Sequence, residues 1–264
     1  MKRNIKILAL TSILLILTAV CVFATTAIPT EKVEEKMVSA KMIDTSSDIL
    51  AKLDQTEAVT STRVKYNMLK DEDIYEVSNP KYNIEFDSNN NLVGIYSKSI
   101  SPVTARVAAD KDFAREVIME KYKELNLPAE YELVYLEPAF NGLWEADFQK
   151  NYNGIYNKYE AVKTYFIPEN GEICALTVFN EGHGSADVTI SADQAIQTAS
   201  ETLEIDPSEI VSSELTMEKA NKTYDEKNKD KSVHTVWKLE KTDESTIYID
   251  ATQNNVIGGD FVNG

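Results

Sequence analysis

Apolar and polar positions along this chain come in a recurring order. An apolar run from Ile7 to Phe23, broken only by Thr11, Ser12 and Thr18, opens it. Next, Val33, Met37 and Ala40, then Ile49, Leu50 and Leu53, recur at helical spacing. Thr45, Ser46, Ser47 and Asp48 supply capping side chains between these halves. The pattern therefore predicts a stalk-like first helix, a break, and a second helix from about Ser47. Strand-like segments follow at 73–77, 82–87 and 92–97, the last two joined by an Asn-rich turn that tolerates left-handed backbone.

A helix is predicted over 110–125, with Phe113, Ala114, Val117, Ile118, Tyr122 and Leu125 on one stripe and Pro128 beyond its end. Strands are expected at 131–136, 143–150, 159–167 and 172–179. Within the second, Trp144, Ala146 and Phe148 alternate with Glu145, Asp147 and Gln149, the pattern of an antiparallel sheet with one wet face. Asn170-Gly171 marks a hairpin. A third cycle begins where Ser191 and Gln194 form a capping box ahead of Ala192, Ala195, Ile196, Ala199 and Leu203, predicting a helix over 192–203. Strands then fall at 209–217, 233–240, 246–250 and 255–258. The charged stretch 218–231 has no apolar period and reads as a solvated loop.

Three segments in this order match one another. Tyr82-Asn83-Ile84-Glu85-Phe86 precedes an Asn-rich turn and Leu92-Val93. Thr164-Tyr165-Phe166-Ile167 precedes Asn170-Gly171 and Ile173. Ile247-Tyr248-Ile249-Asp250 precedes Asn254-Asn255 and Val256-Ile257. Trp144 and Trp237 mark the strand before each of the last two pairs. A long-period repeat of this kind implies duplicated supersecondary units. The helix opening Ile190-Ser191-Ala192-Asp193-Gln194-Ala195-Ile196, the strand Val236-Trp237-Lys238-Leu239 and the closing hairpin after Tyr248 resemble the PepSY family, a small domain named from peptidase propeptides and a spore-envelope protein. The match is best over 187–264, weaker over 108–181, and weakest over 44–99. Asn254-Asn255 stands where the family commonly has Gly-Glu. The resemblance implies an α+β fold of tandem modules, each a helix packed on an antiparallel β-sheet, working outside the cytoplasm in a binding or inhibitory role. It carries over no catalytic residue.

Lys2, Arg3 and Lys6 before the apolar run, and the small-residue exits ending at Ala24 and Ala27, make residues 1–27 an export signal or N-terminal anchor, with 28–43 as linker or helical stalk. Cys21 as a lipidated N-terminus is disfavoured by Val20, which stands where a small residue is wanted. Without the three basic residues the net charge passes from -16 to -19, a surface that repels nucleic acid and anionic lipid. Membrane contact is expected only through the N-terminal segment.

Residues with reactive chemistry are few. His183 lies in a Gly-flanked turn and His234 in a strand, facing away from Thr235 and Trp237. Neither has zinc-ligand spacing, Cys174 sits in an apolar strand, and no cofactor fingerprint appears, so no catalytic, cofactor or metal residue is assigned. Tyr152, Tyr156, Tyr159 and Tyr165 around the 151–158 turn form the candidate contact surface, since tyrosine buries area at small entropic cost. The expected function is a non-catalytic extracytoplasmic protein-interaction module that regulates a secreted protease or envelope protein. The competing expectation is an acidic protein that binds cations or a small ligand.

Overall fold

Three helices each lead into four strands paired in sequence order. The computed structural model describes residues 36–68, 71–99, 110–182, 186–220 and 232–260. The export signal, Cys21, most of the linker, His183 and the loop 221–231 lie outside them. Helix α1 (Ala40–Lys52) precedes β1 (Ser61–Asn67), β2 (Glu72–Ser78), β3 (Tyr82–Phe86) and β4 (Leu92–Ser97). Helix α2 (Lys111–Glu124) precedes β5 (Tyr131–Pro138), β6 (Trp144–Tyr152), β7 (Ile155–Ile167) and β8 (Glu172–Asn180). Helix α3 (Ala192–Leu203) precedes β9 (Ile210–Lys219), β10 (Val233–Lys241), β11 (Thr246–Asp250) and β12 (Val256–Asp260). All pairings are antiparallel. The first two sets merge into one eight-stranded sheet, β1-β2-β3-β4-β8-β7-β6-β5, and the third forms a four-stranded sheet. The fold is α+β with sheet predominating. Three pairs make the seam inside the large sheet: Gly94 with Thr177, Ile95 with Leu176, and Tyr96 with Ala175.

Local signals explain most of these elements. Ser191 and Gln194 close the expected capping box on α3, and the Asp110 carboxylate caps α2. α1 departs from expectation. It starts at Ala40, capped by the Ser39 hydroxyl, and runs unbroken through Thr45, Ser46 and Ser47. The residues read as a break are helical because Met42, Ile49 and Leu50 supply a buried stripe across them, and the Ser47 hydroxyl returns to the Ile43 carbonyl. Phe113, placed on the buried stripe of α2, is 46% exposed, while Ala114, Ile118 and Tyr122 make the contact.

One core joins both helices to the same face of the large sheet. It takes Ile49 and Leu50 from α1, Ile118 and Tyr122 from α2, and Val77, Ile84, Ile95, Phe148 and Val162 from the strands. Tyr122 stacks on Phe148 with ring centroids 4.0 Å apart. The opposite face is polar. Arg63, Glu76, Glu85, Gly94, Thr177, Lys163, Asp147 and Tyr135 are paired strand to strand across its whole width. Glu76, buried in that row, is bridged by Arg63 at 2.7 Å and Lys65 at 2.9 Å. A separate core of Ala195, Ala199, Leu239, Ile247 and Ile249 holds α3 on the small sheet.

Candidate functional site

The tyrosine-bearing hairpin is sharper than expected. Tyr152 pairs with Ile155, so the turn is only Asn153-Gly154, both with positive φ. Such a two-residue turn matches strand twist and suits Asn-Gly. Farther along, Gln149 pairs with Ala161 but Lys150 pairs with Asn157, leaving Lys158, Tyr159 and Glu160 of β7 without a partner on β6. A bulge re-aims side chains that would otherwise alternate between faces. Lys158 and Tyr159 both reach Glu218 on β9, at 2.5 and 3.0 Å. Glu160 turns back to Lys150 at 3.0 Å, the Tyr152 hydroxyl at 2.5 Å and the Asn157 amide at 2.8 Å.

The electrostatics follow from those partners. Burial pushes the Glu160 carboxyl upward, but donors from Tyr152, Lys150 and Asn157 outweigh it and hold the group below its ordinary range. Burial and the adjacent Glu218 carboxylate raise the Tyr159 phenol, which stays a neutral donor. Tyr152 and Tyr159 are partly buried against Ile155, Met217 and Val233. They tie the large sheet to the small one. Tyr156 is exposed and donates to Glu132. Tyr165 is six positions from Tyr159, roughly 20 Å along a strand, and packs near Phe140 with ring centroids 5.6 Å apart. The four tyrosines therefore do not form one patch.

A groove of about 840 Å³ opens beside α1. Ile49 and Lys52 of α1 form one wall and the segment after α2, Leu125 to Tyr131, another. Leu92 and Val93 of β4 and Val178 of β8 lie beneath. Its rim carries Asp48, Glu72, Asp87, Glu130 and Glu181 against Lys52 and Lys219, of which Lys219 is already bonded to Glu181. Burial, with Glu160 and Glu130 nearby, pushes the Tyr131 phenol up to about 12. Sequence reading missed this groove because it is assembled from segments up to the full span of the large sheet, none with a motif of its own.

No family model matches the chain, and no curated protein does. Among solved structures it is similar to the Bacillus megaterium YpeB C-terminal domain, at 9% identity and a TM-score of 0.51, over 87% of this chain and 100% of that one. The likeness is one of fold. It supports a PepSY-like fold and carries no residue roles across.

The histidine passed over in the sequence has two defined partners. His234 lies on the small sheet's helix-free face, directly across from Glu218 on β9. Its Nδ1 is 2.8 Å from Asp250 Oδ2. The other oxygen of Asp250 accepts the Thr252 and Gln253 backbone N–H groups at 2.8 and 2.7 Å. Burial pushes the Asp250 carboxyl upward, but these three donors prevail and hold it low. An ionised carboxylate only accepts, so Nδ1 carries the proton facing it. Cys174 is buried, as expected of an apolar strand. Among the described residues no group of three or more His, Cys, Asp or Glu is arranged to hold a metal ion, and no helix is long and apolar enough to cross a membrane.

Proposed function

We propose that the chain is an extracytoplasmic protein-interaction module, built from three PepSY-like copies, that regulates a secreted protease or envelope protein through the α1–α2 groove. The observation that carries this reading is the groove itself, which combines an apolar floor of Leu92, Val93 and Val178 with a mostly acidic rim. About 840 Å³ is within the size range of ligand sites, and the lining here is polar as much as apolar. Five rim carboxylates against two lysines favour an extended segment bearing basic residues. The arrangement helix, then four-stranded meander, three times over, supports the copies. The basic start and apolar run of the sequence support location outside the cytoplasm.

The test places a photo-crosslinking residue at Asp48 and, separately, at Glu130 in the full-length protein on intact cells. Both positions should capture the same partner, and peptide mapping should find a Lys- or Arg-bearing segment. Capture from Tyr156 but from neither groove position would move the interface to the hairpin and overturn the groove.

A further inference from the structure

Ser232, His234 and Asp250 form a hydrogen-bonded line on the helix-free face of the small sheet. Ser232 Oγ is 3.0 Å from His234 Nε2, and His234 Nδ1 is 2.8 Å from Asp250 Oδ2. Since Nδ1–H is committed to the carboxylate, Nε2 of the neutral ring is the acceptor and the serine hydroxyl the donor. Asp250 is 3% exposed and fixed by two backbone N–H groups, so it orients the ring without moving. Ser232 is exposed at the end of this relay. A hydroxyl, a base and a buried carboxylate in this sequence of contacts are recognised by geometry rather than by order along the chain.

We propose that Ser232 is a nucleophile toward short-chain acyl esters, with His234 as its general base and Asp250 as a positioning residue. A cavity of about 190 Å³ adjoins the three, lined also by Val233, Thr235, Thr252 and Gln253. That is below the roughly 300 Å³ at which drug-sized ligands are enclosed, so it takes a small acyl group while the alcohol stays outside. Ser232 Oγ attacks the ester carbonyl carbon and forms a C–O bond, and its proton passes to Nε2. The imidazolium is stabilised by Asp250. Collapse breaks the bond to the alcohol oxygen, which takes the proton from Nε2. Water then adds to the acyl-serine by the same route, returning the hydroxyl and releasing the acid. Gln253 also lines the cavity.

The test treats full-length protein with a fluorophosphonate probe, maps the adduct by mass spectrometry, and follows p-nitrophenyl acetate and octanoate hydrolysis. A single adduct on Ser232 is expected, absent in Ser232→Ala. His234→Gln should slow labelling by roughly 100-fold or more. Asp250→Asn keeps a carbonyl oxygen for its backbone contacts but removes the charge that His234 faces, so its melting temperature should fall by a few degrees at neutral pH while the pH dependence of labelling is displaced. Acetate should be cleaved at least ~10-fold faster than octanoate. No adduct on Ser232 in protein that melts as wild type, or equal labelling of Ser232→Ala, overturns the assignment. Equal rates on the two esters overturn the small acyl pocket.

Discussion

Tyr159 and Glu218, 59 residues apart in the chain, share a hydrogen bond of 3.0 Å that ties the large sheet to the small one. Lys158 uses the same carboxylate, so one side chain serves two donors that only the β7 bulge brings to one side. Glu218→Ala leaves a partly buried phenol without its acceptor. The expected loss is about 1–3 kcal/mol in denaturant unfolding, with amide exchange accelerating in β9 to β12 more than in β2 to β4.

Three buried carboxylates set the acid limit. Glu76, Glu160 and Asp250 each experience burial as the largest influence, yet their donors hold them low. A depressed folded value means stability that is present above the unfolded value, about 4 for these groups, and lost as pH falls through the folded one. Melting temperature should be level above about pH 5 and fall below about pH 4. Glu160→Gln should flatten that fall, and a variant as acid-sensitive as wild type would contradict it.

Asp147 is the contrasting case. It is buried with Oδ1 lacking a partner, and burial raises its carboxyl against the pull of Lys163 at 3.2 Å. Asp147→Asn removes a poorly solvated charge, so calorimetry should find a change within about 1 kcal/mol of wild type.

Two glycines carry specific geometry. Gly154 has φ of 95° in the tyrosine hairpin, and Gly154→Ala should cost roughly 1–2 kcal/mol for the left-handed backbone alone. A Cβ at Gly259 would stand 2.2 Å from the Thr246 carbonyl oxygen. Gly259→Ala should therefore separate β12 from β11 and cost about 1–3 kcal/mol, visible as a lower unfolding midpoint.

Reversing the groove rim tests its charge. Asp48→Lys with Glu130→Lys should reduce capture of a basic partner segment at least ~10-fold while leaving the melting temperature within a few degrees, because both residues sit on the rim. Unchanged capture would remove charge from the account.

The legible parts were those with a period. α3 was readable to the residue because its cap and apolar stripe agree. β1 is hard to read because its alternation is short: only Val64 and Tyr66 are apolar, set between Arg63 and Lys65, which face the charged row. The Asn153-Gly154 turn is written in the chain as plainly as Asn170-Gly171, and it is shorter than the 151–158 turn the tyrosine spacing suggests. The separation of Tyr165 from Tyr159 follows from their spacing along one strand, whereas the bulge had no signal in the sequence. The same holds for His234, whose meaning depends on Asp250 sixteen residues away across two strands.

The seam between β4 and β8 bears on how the molecule assembles. Within each meander, strands pair with their immediate successors, which needs only short loops to close. At the seam, Tyr96 meets Thr177 across 81 residues. Closing a span of that length costs chain entropy before it returns any contact, and non-local pairing is what slows folding. The two halves of the large sheet should gain protection early and independently, and the union of β4 with β8 should be the slow step that completes the shared core.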